Sequence, residues 1–550
     1  MDLLRKTVGD LFDEVALRFS EKEALVDLSQ GKRFSYKELL AIVNQTAKGF
    51  LKLGLKEGDH SALWSPNRWE WTVTQLALAK IGVVLISIDI NCKVEQLEYF
   101  LRQSDSRSLV MAEGMKGSEY TDMILQLCPE VKERSRGRFS CRALPELRNI
   151  ILISGRTFDG MFHWKEILDM GKDVPDRMLA ERQSSCREDH IVTILYTSGT
   201  TGAPKGVMST HFGIISTTLA SAENQRITEK DRLCLSVPLS HMFGCVCVTL
   251  ASVIKGATLV IPSETFDPHK ILDAVERERC TAIYGSPSAF IALMGDPRYR
   301  ASDVKSLRTG IMGGAQCPME VMKKVVDEMG VREIVIGYGQ TESSSWITMT
   351  RPDDRLELRV STVGRPLPHV EAKIIDPISG DEVPTDGSSV GEICARGFNM
   401  KGYYKMPAAT ANAIDSEGWL HTGDLGSMDA NKYVRTAGRL KEVINKGGEV
   451  VFPTEIEEVL FRHPKILNVQ IFGVPDKALG EEVAAWIKLE EGVTAAEEEV
   501  RQYCKERLPV SHLPRYIKFV REFPTTPLGK VQKFKMREMV IEEYGLKWST

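Results

Sequence analysis

The stretch Tyr196-Thr-Ser-Gly-Thr-Thr-Gly-Ala-Pro-Lys-Gly206 constrains this chain more than any other. Residues 191–196 are apolar and β-branched, and read as a buried strand that stops where a hydroxyl- and glycine-rich loop begins. Thr197, Ser198, Thr200 and Thr201 crowd around Gly199 and Gly202, and Pro204 with Lys205 closes the segment. Glycines let backbone N–H groups converge on an anion, hydroxyls add donors, and one lysine supplies charge. That chemistry suits a polyphosphate. The Walker A spacing cannot be threaded through these residues, because Lys205 is followed by Gly206 and not by a hydroxyl residue. The bland alternative is an ordinary strand-to-helix turn.

At 550 residues the chain is too long for one core, since single cores stop growing near ~250–300 residues. The net charge of −4 gives no reason to expect nucleic acid or an anionic membrane as partner. Eleven scattered cysteines without metal-ligand spacing read as reduced thiols, and point to the cytoplasm. The longest apolar run, near residues 243–254, is well short of the ~20 residues of a membrane helix. The opening MDLLRKTVGDLFDEVALRF reads as an amphipathic helix of the fold rather than a targeting segment.

Along residues 1–190, helix and strand signals alternate. Ser35-Tyr-Lys-Glu38 is a capping-box pattern that opens a helix to about Leu53, while residues 61–64 and 82–88 read as strands. Such alternation predicts an α/β domain with mostly parallel sheets. Residues 132–138 form a charge run, read as a solvated loop. Pro238-Leu-Ser-His-Met-Phe-Gly244 precedes a helix-like apolar segment, and His241 there has no Ser or Asp partner in view; on spacing alone it reads as packed or capping. Two further strands end in loops, at Gly310-Ile-Met-Gly-Gly-Ala315 and Ile334-Val-Ile-Gly-Tyr-Gly-Gln-Thr-Glu342. Ligands of α/β sheets collect at such strand ends. Tyr338 can stack on a base and Glu342 can hold a magnesium ion, or be a surface carboxylate. Gly418-Trp-Leu-His-Thr-Gly-Asp-Leu-Gly426 puts Asp424 in a glycine-flanked turn, suited to a ribose diol or simply to turn formation. After about residue 438 the chain holds strands near 469–474 and 482–489 and a helix near 495–508, enough for a small α+β domain. The expected organisation is 1–438 and 439–550. Near the end, Pro524-Thr-Thr-Pro-Leu-Gly-Lys530 presents a lysine on a rigid, turn-rich segment.

In this order, YTSGTTGAPKG, GYGQTES, GWLHTGDLG, GRLKEVINKGGE and PLGKVQK resemble the adenylate-forming superfamily of acyl-CoA synthetases, peptide-synthetase adenylation domains and luciferases. The resemblance covers essentially the whole chain. HIVTILYTSGTTGAPKGVMSTH, PLSHMFG and LPRYIKFV are similar to the acyl-CoA synthetase family member 2 group of medium-chain fatty acid–CoA ligases. It implies a two-step, AMP-forming ligase of fatty acid metabolism that uses ATP, Mg2+ and coenzyme A. A carboxylate attacks the α-phosphate to give acyl-AMP, the small domain swings, and coenzyme A takes the acyl group. This is positioning and electrostatics, with no protein nucleophile.

Position by position, the resemblance implies that Thr197 to Gly202 with Lys205 hold the β- and γ-phosphates. Gly313, Gly314 and Ala315 would lie beside the adenine on which Tyr338 stacks, with Gly337, Gly339 and Gln340 lining the nucleotide. Thr341 would contact the α-phosphate and Glu342 would serve the magnesium. Asp424 would bind both ribose hydroxyls with help from Arg439, and Lys530 would bridge the substrate carboxylate and α-phosphate. Lys441 matches the hinge, while Gly447, Gly448 and Glu449 would border the pantetheine tunnel. His241, Met242, Phe243, Gly244 and Trp346 would line an acyl pocket lacking a cation for a second carboxylate. An apolar monocarboxylic acid is indicated, medium-chain, alicyclic or aromatic, with Trp346 either shortening the pocket or packing in the core. Three residues depart from the family pattern: Val450 replaces a common Asn, Ser240 a common aromatic, and Glu442 a common Asp. A competing reading hands the acyl group to a separate carrier protein; a non-enzymatic nucleotide sensor is disfavoured by Glu342, Asp424, Arg439 and Lys530 occurring together. Small molecules are the expected partners, with no integral membrane segment, and a homodimer is compatible with the sequence.

Overall fold

The computed structural model describes residues 2–115, 119–133, 140–197, 203–301, 303–315, 317, 319–525 and 531–547. Ser198 to Gly202, Lys530 and most of the 132–138 charge run lie outside them. Two large sheets dominate the first four hundred or so residues, one of nine strands and one of eight. In the first, Glu23–Asp27, Thr258–Ile261, Arg232–Cys234, Ala282–Gly285, Thr309–Gly313 and Glu333–Tyr338 run parallel, side by side. In the second, Ile191–Thr197, Val84–Ser87, His60–Trp64, Ser108–Ala112 and Asn149–Ile153 do the same. Short antiparallel strands finish both edges of the first sheet and one edge of the second, whose other edge is the parallel strand Phe162–His163.

The parallel strands are apolar on both faces because helices cover both. One core cluster draws Leu63, Leu85 and Val110 from one sheet and Leu25, Leu259 and Ile311 from the other. The helix Trp69–Lys80 lies within it with all its residues buried, polar ones included. Lys80, only 1% exposed, is neutralised there by an ion pair with Asp13. The predicted helix at 35–53 is Tyr36–Lys52, with Ser35 and Glu38 completing the capping box.

An antiparallel sheet of Glu371–Ile375, Gly391–Arg396, Leu420–Met428 and Val434–Arg439 follows. A short turn, Leu440–Glu442, leads into the small C-terminal sheet. Its strand Gly480–Leu489 shows the two-residue alternation of a sheet covered on both faces. Val483, Ala485 and Ile487 meet the helices Pro453–Phe461 and Glu497–Lys505, while Ala484 and Trp486 meet Lys533–Tyr544.

Two expectations need correction. Asp424 belongs to the long strand Leu420–Met428, at a register slip, and not to a turn between elements. The phosphate-loop segment joins two antiparallel strands, Ile191–Thr197 and Lys205–Thr210, so the strand-to-helix turn weighed as its bland alternative is not what flanks it. The thiols are not all reduced: Cys128 and Cys141 are bonded across the turn Pro129–Glu133, while the other nine cysteines are free. Their separation of 13 residues carries no signal that the chain folds back there.

Candidate active site

Thr197 and Lys205 are register partners at the base of the glycine-rich loop. The Lys205 ammonium sits 4.7 Å from the ring centroid of Tyr403, a cation–π seat on a residue with no part in the loop itself. The Tyr403 hydroxyl donates to Glu342 Oε1 at 2.8 Å, and the Thr197 hydroxyl approaches the same oxygen at 3.5 Å. Burial first, and then the Glu342 carboxylate, push the Tyr403 phenol far above its ordinary range, so it remains a donor at any working pH. Tyr403 thus ties Lys205 and Glu342 together, a role that no motif announces.

Thr341 and Glu342 lie on the short turn Thr341–Ser343 just beyond the parallel strand Glu333–Tyr338. The turn ends in two residues of unusual backbone, Ser344 at φ 54° and Ser345 at φ 120°. Strain of this kind persists where the surroundings over-determine it. Here the helix His211–Asn224 does so: the Thr217 hydroxyl donates to the Ser344 carbonyl at 2.7 Å and accepts from Ser345 Oγ at 3.1 Å. Gln340 N–H is capped by Ser343 Oγ at 3.1 Å.

Tyr338 brings this loop to the antiparallel sheet. Its hydroxyl donates to Asp424 Oδ2 at 2.9 Å, and Arg439 Nε meets Asp424 Oδ1 at 3.0 Å. Burial works against the Arg439 charge, yet Asp424 and Glu442 hold its pKa above the ordinary value. Asp424 and Arg439 are also direct register partners, so the pair is fixed by the ladder as well as by charge.

Gly313 and Gly337 are register partners on adjacent parallel strands, and Trp346 lies over them. A Cβ on Gly337 would come within 2.9 Å of the indole, and one on Gly313 within 3.3 Å. The strands are bare of side chains there because the indole occupies that space. Phe243 packs edge-on to Trp346 with ring centroids 5.4 Å apart. Phe243 and Gly244 open the π-helical turn Phe243–Val248, a conformation common at functional sites. His241 Nδ1 accepts the Phe243 N–H at 3.1 Å, so this histidine caps the segment, as its sequence surroundings suggest; Met242 is buried beside it.

Gly314 and Ala315 extend from the same strand end. Gly447 and Gly448, both at positive φ, make the exposed hairpin between Ile444–Lys446 and Glu449–Val451 on the small domain, with Glu449 and Val450 also exposed. Lys441 is exposed on the turn between the antiparallel sheet and that domain. The structure therefore brings Thr197, Lys205, Glu342, Tyr338, Asp424, Arg439 and Trp346 to one region, and keeps Gly447 to Glu449 on a separate unit. Glu342 with Thr197 offers the hard oxygen donors that Mg2+ accepts. Sequence reasoning missed Tyr403 and also Glu392, which accepts the Gly423 N–H at 2.9 Å one residue before Asp424.

The AMP-binding enzyme family model matches residues 12–404, and the AMP-binding enzyme C-terminal domain matches residues 455–530. The chain is 43% identical to a putative acyl-CoA synthetase of Bacillus subtilis, over 99% of each chain. It is 37% identical to a mitochondrial medium-chain acyl-CoA ligase of Danio rerio, over 99% of this chain and 90% of that one. The ATP-bound crystal structure of MatB from Rhodopseudomonas palustris superimposes with a TM-score of 0.84 at 27% identity, covering 98% of this chain and 99% of that one. The chain belongs to the AMP-binding enzyme family, among its adenylate-forming acyl-CoA synthetases.

Proposed function

We propose that this protein is an AMP-forming acid–CoA ligase whose acid is an apolar monocarboxylate of medium chain length, or an alicyclic or aromatic acid of similar reach. The observation that carries the substrate class is the Trp346 indole laid over Gly313 and Gly337 and braced by Phe243. It stands as an aromatic end wall beside the nucleotide residues, in a region where Phe243, Met242 and Cys245 are buried and apolar. The medium-chain name of the Danio rerio relative supports the same class.

In this reading the glycine-rich loop and Lys205 hold the leaving pyrophosphate, and Lys205 is positioned by the Tyr403 ring. Mg2+ supplies charge neutralisation at the phosphates, and Glu342 and Thr197 are the residues that would hold it. Asp424, set between Tyr338 and Arg439, receives the ribose diol. Lys530, outside the described residues, supplies the charge that joins carboxylate and α-phosphate. Residues 439–550 rotate about Lys441 for the second half-reaction, which carries the Gly447–Gly448 hairpin to coenzyme A. We place the working enzyme in the cytoplasm.

The test is pyrophosphate release across straight-chain acids from two to sixteen carbons, with benzoate and cyclohexanecarboxylate, with and without coenzyme A. The proposal expects a maximum at medium length and turnover that requires coenzyme A. A maximum at long chains, or acceptance of dicarboxylates, would overturn the substrate class. Turnover only with a phosphopantetheinylated carrier protein would overturn coenzyme A as acceptor.

A further inference from the structure

The strand bearing Asp424 departs from regular pairing at the point where the carboxylate is presented. On the neighbouring strand Glu392 pairs with Leu425 and Cys394 pairs with His421, so Ile393 alone faces Thr422, Gly423 and Asp424. Such a bulge turns a side chain out of the sheet and leaves backbone N–H groups without ladder partners on that side. Two side chains serve those groups. Gly423 N–H donates to Glu392 Oε1 at 2.9 Å, and Asp424 N–H donates to Thr422 Oγ1 at 3.1 Å. The Thr422 hydroxyl in turn donates to the Ile393 carbonyl at 2.6 Å.

Glu392 is 8% exposed, too deep to hold a charge without partners. Its second oxygen, Oε2, lies 2.9 Å from His421 Nδ1. The far nitrogen of that ring, Nε2, is 3.6 Å from Asp415 Oδ2, and Asp415 is itself fixed by accepting the Trp419 and Glu417 N–H groups at 2.9 Å. Cys394 Sγ stands 3.7 Å from the same ring and closes it from the core side. A continuous chain of contacts therefore runs from Asp415 through His421 and Glu392 to the peptide that precedes Asp424. Tyr338 and Arg439 meet the Asp424 carboxylate itself.

We propose that Glu392 and His421 are positioning residues for ribose recognition. Glu392 fixes the bulged backbone at Gly423, His421 fixes Glu392, and together they set where Asp424 meets the ribose hydroxyls. This rests on Asp424 being the ribose ligand. An aspartate that must meet two hydroxyls tolerates little displacement, because hydrogen bonds weaken steeply away from their preferred distance and angle. Loss of the brace is therefore felt by the ribose and not by the phosphates.

The test measures equilibrium binding of ATP and 2′-deoxyATP by calorimetry, together with KM and kcat for each, on four variants. Glu392→Ala should weaken ATP about tenfold, the scale of one lost hydrogen bond to a charged group. It should leave 2′-deoxyATP within about threefold, so that the preference for the 2′-hydroxyl collapses while kcat is largely kept. Glu392→Gln should recover most of that preference, since the amide oxygen still accepts from Gly423 and the ring can exchange tautomers to accept from the amide nitrogen. His421→Ala should fall between them. Asp424→Asn reports on the underlying reading: if it keeps the preference for ATP, the assignment of Asp424 fails and the brace with it. If Asp424→Asn loses the preference while Glu392→Ala keeps it, or loses affinity for both nucleotides equally, the brace alone is overturned. Thermal melting accompanies each variant, and where Glu392→Ala does not fold, Glu392→Gln and His421→Ala give the same comparison.

Discussion

Replacing Tyr403 with Phe removes one oxygen from the centre of the site and nothing else. The ring survives, and with it the seat of the Lys205 ammonium 4.7 Å from the centroid. What disappears is the 2.8 Å donor to Glu342 Oε1, leaving Thr197 at 3.5 Å as the nearest remaining hydroxyl described for that oxygen. Both partners are buried, with Tyr403 at 7% and Glu342 at 9% exposure, so water compensates poorly for the loss. A hydrogen bond to a charged group contributes about 1.5–3 kcal/mol. At 1.4 kcal/mol per factor of ten, Tyr403→Phe should lower kcat/KM for ATP by roughly 10- to 100-fold. The assay is initial-rate pyrophosphate release with the acid saturating, ATP varied and Mg2+ titrated, alongside a melting curve. The deficit should be greatest at low Mg2+, because the lost contact orients the carboxylate that would hold the ion. Tyr403→Leu should lose more, since it also removes the cation–π seat. A Tyr403→Phe enzyme within twofold of the parent at every Mg2+ concentration would refute the reasoning, and would leave Tyr403 as packing.

Trp346→Ala should move the chain-length optimum in the acid panel toward longer acids, at a stability cost of about 3–5 kcal/mol for the cavity, read by melting. Gly337→Ala, whose Cβ would press on the same indole at 2.9 Å, should instead lower kcat/KM for every acid without lengthening the optimum. His211 is fully buried with Nδ1 accepting the Val8 N–H at 3.1 Å, and burial pushes its pKa down to about 3. Because the unfolded chain binds that proton near pH 6.5 and the folded one does not, this stability is complete above pH 6.5. It is lost as the pH falls toward 3, by about 2 kcal/mol at pH 5. His211→Asn, which keeps an acceptor, should flatten that portion of the acid-unfolding profile. Lys530→Ala should cripple adenylation in stopped-flow assays yet spare much of coenzyme A transfer to preformed acyl-AMP; equal loss of both would reject the division of labour.

The parallel strands of the large sheets were legible because each is a short apolar run flanked by turn residues. The helix opened by Ser35 was legible because a capping box is local chemistry. Glu342 and Asp424 could be chosen because their motifs are contiguous. What could not be read is what depends on distant chain meeting. Tyr403 reaches Glu342 across 61 residues, and Glu392 reaches Gly423 across 31, with neither spacing carrying a period. The glycines at 313 and 337 look like backbone approach sites for a ligand, yet the group they admit is Trp346 of the same chain. Asp424 was expected in a turn because Gly423 and Gly426 flank it; the same glycines serve a bulge within a strand. The Cys128–Cys141 bond was invisible for a related reason, since spacing alone does not say which thiols meet.

The central claim is that a carboxylate oxygen attacks the α-phosphate of ATP before coenzyme A enters. Octanoate labelled with 18O in both carboxyl oxygens, turned over with ATP and coenzyme A, tests it directly by mass spectrometry of the products. The account predicts one 18O in AMP, none in pyrophosphate, and one equivalent each of AMP, pyrophosphate and octanoyl-CoA. Unlabelled AMP, or label in a released phosphate with ADP as co-product, would contradict it.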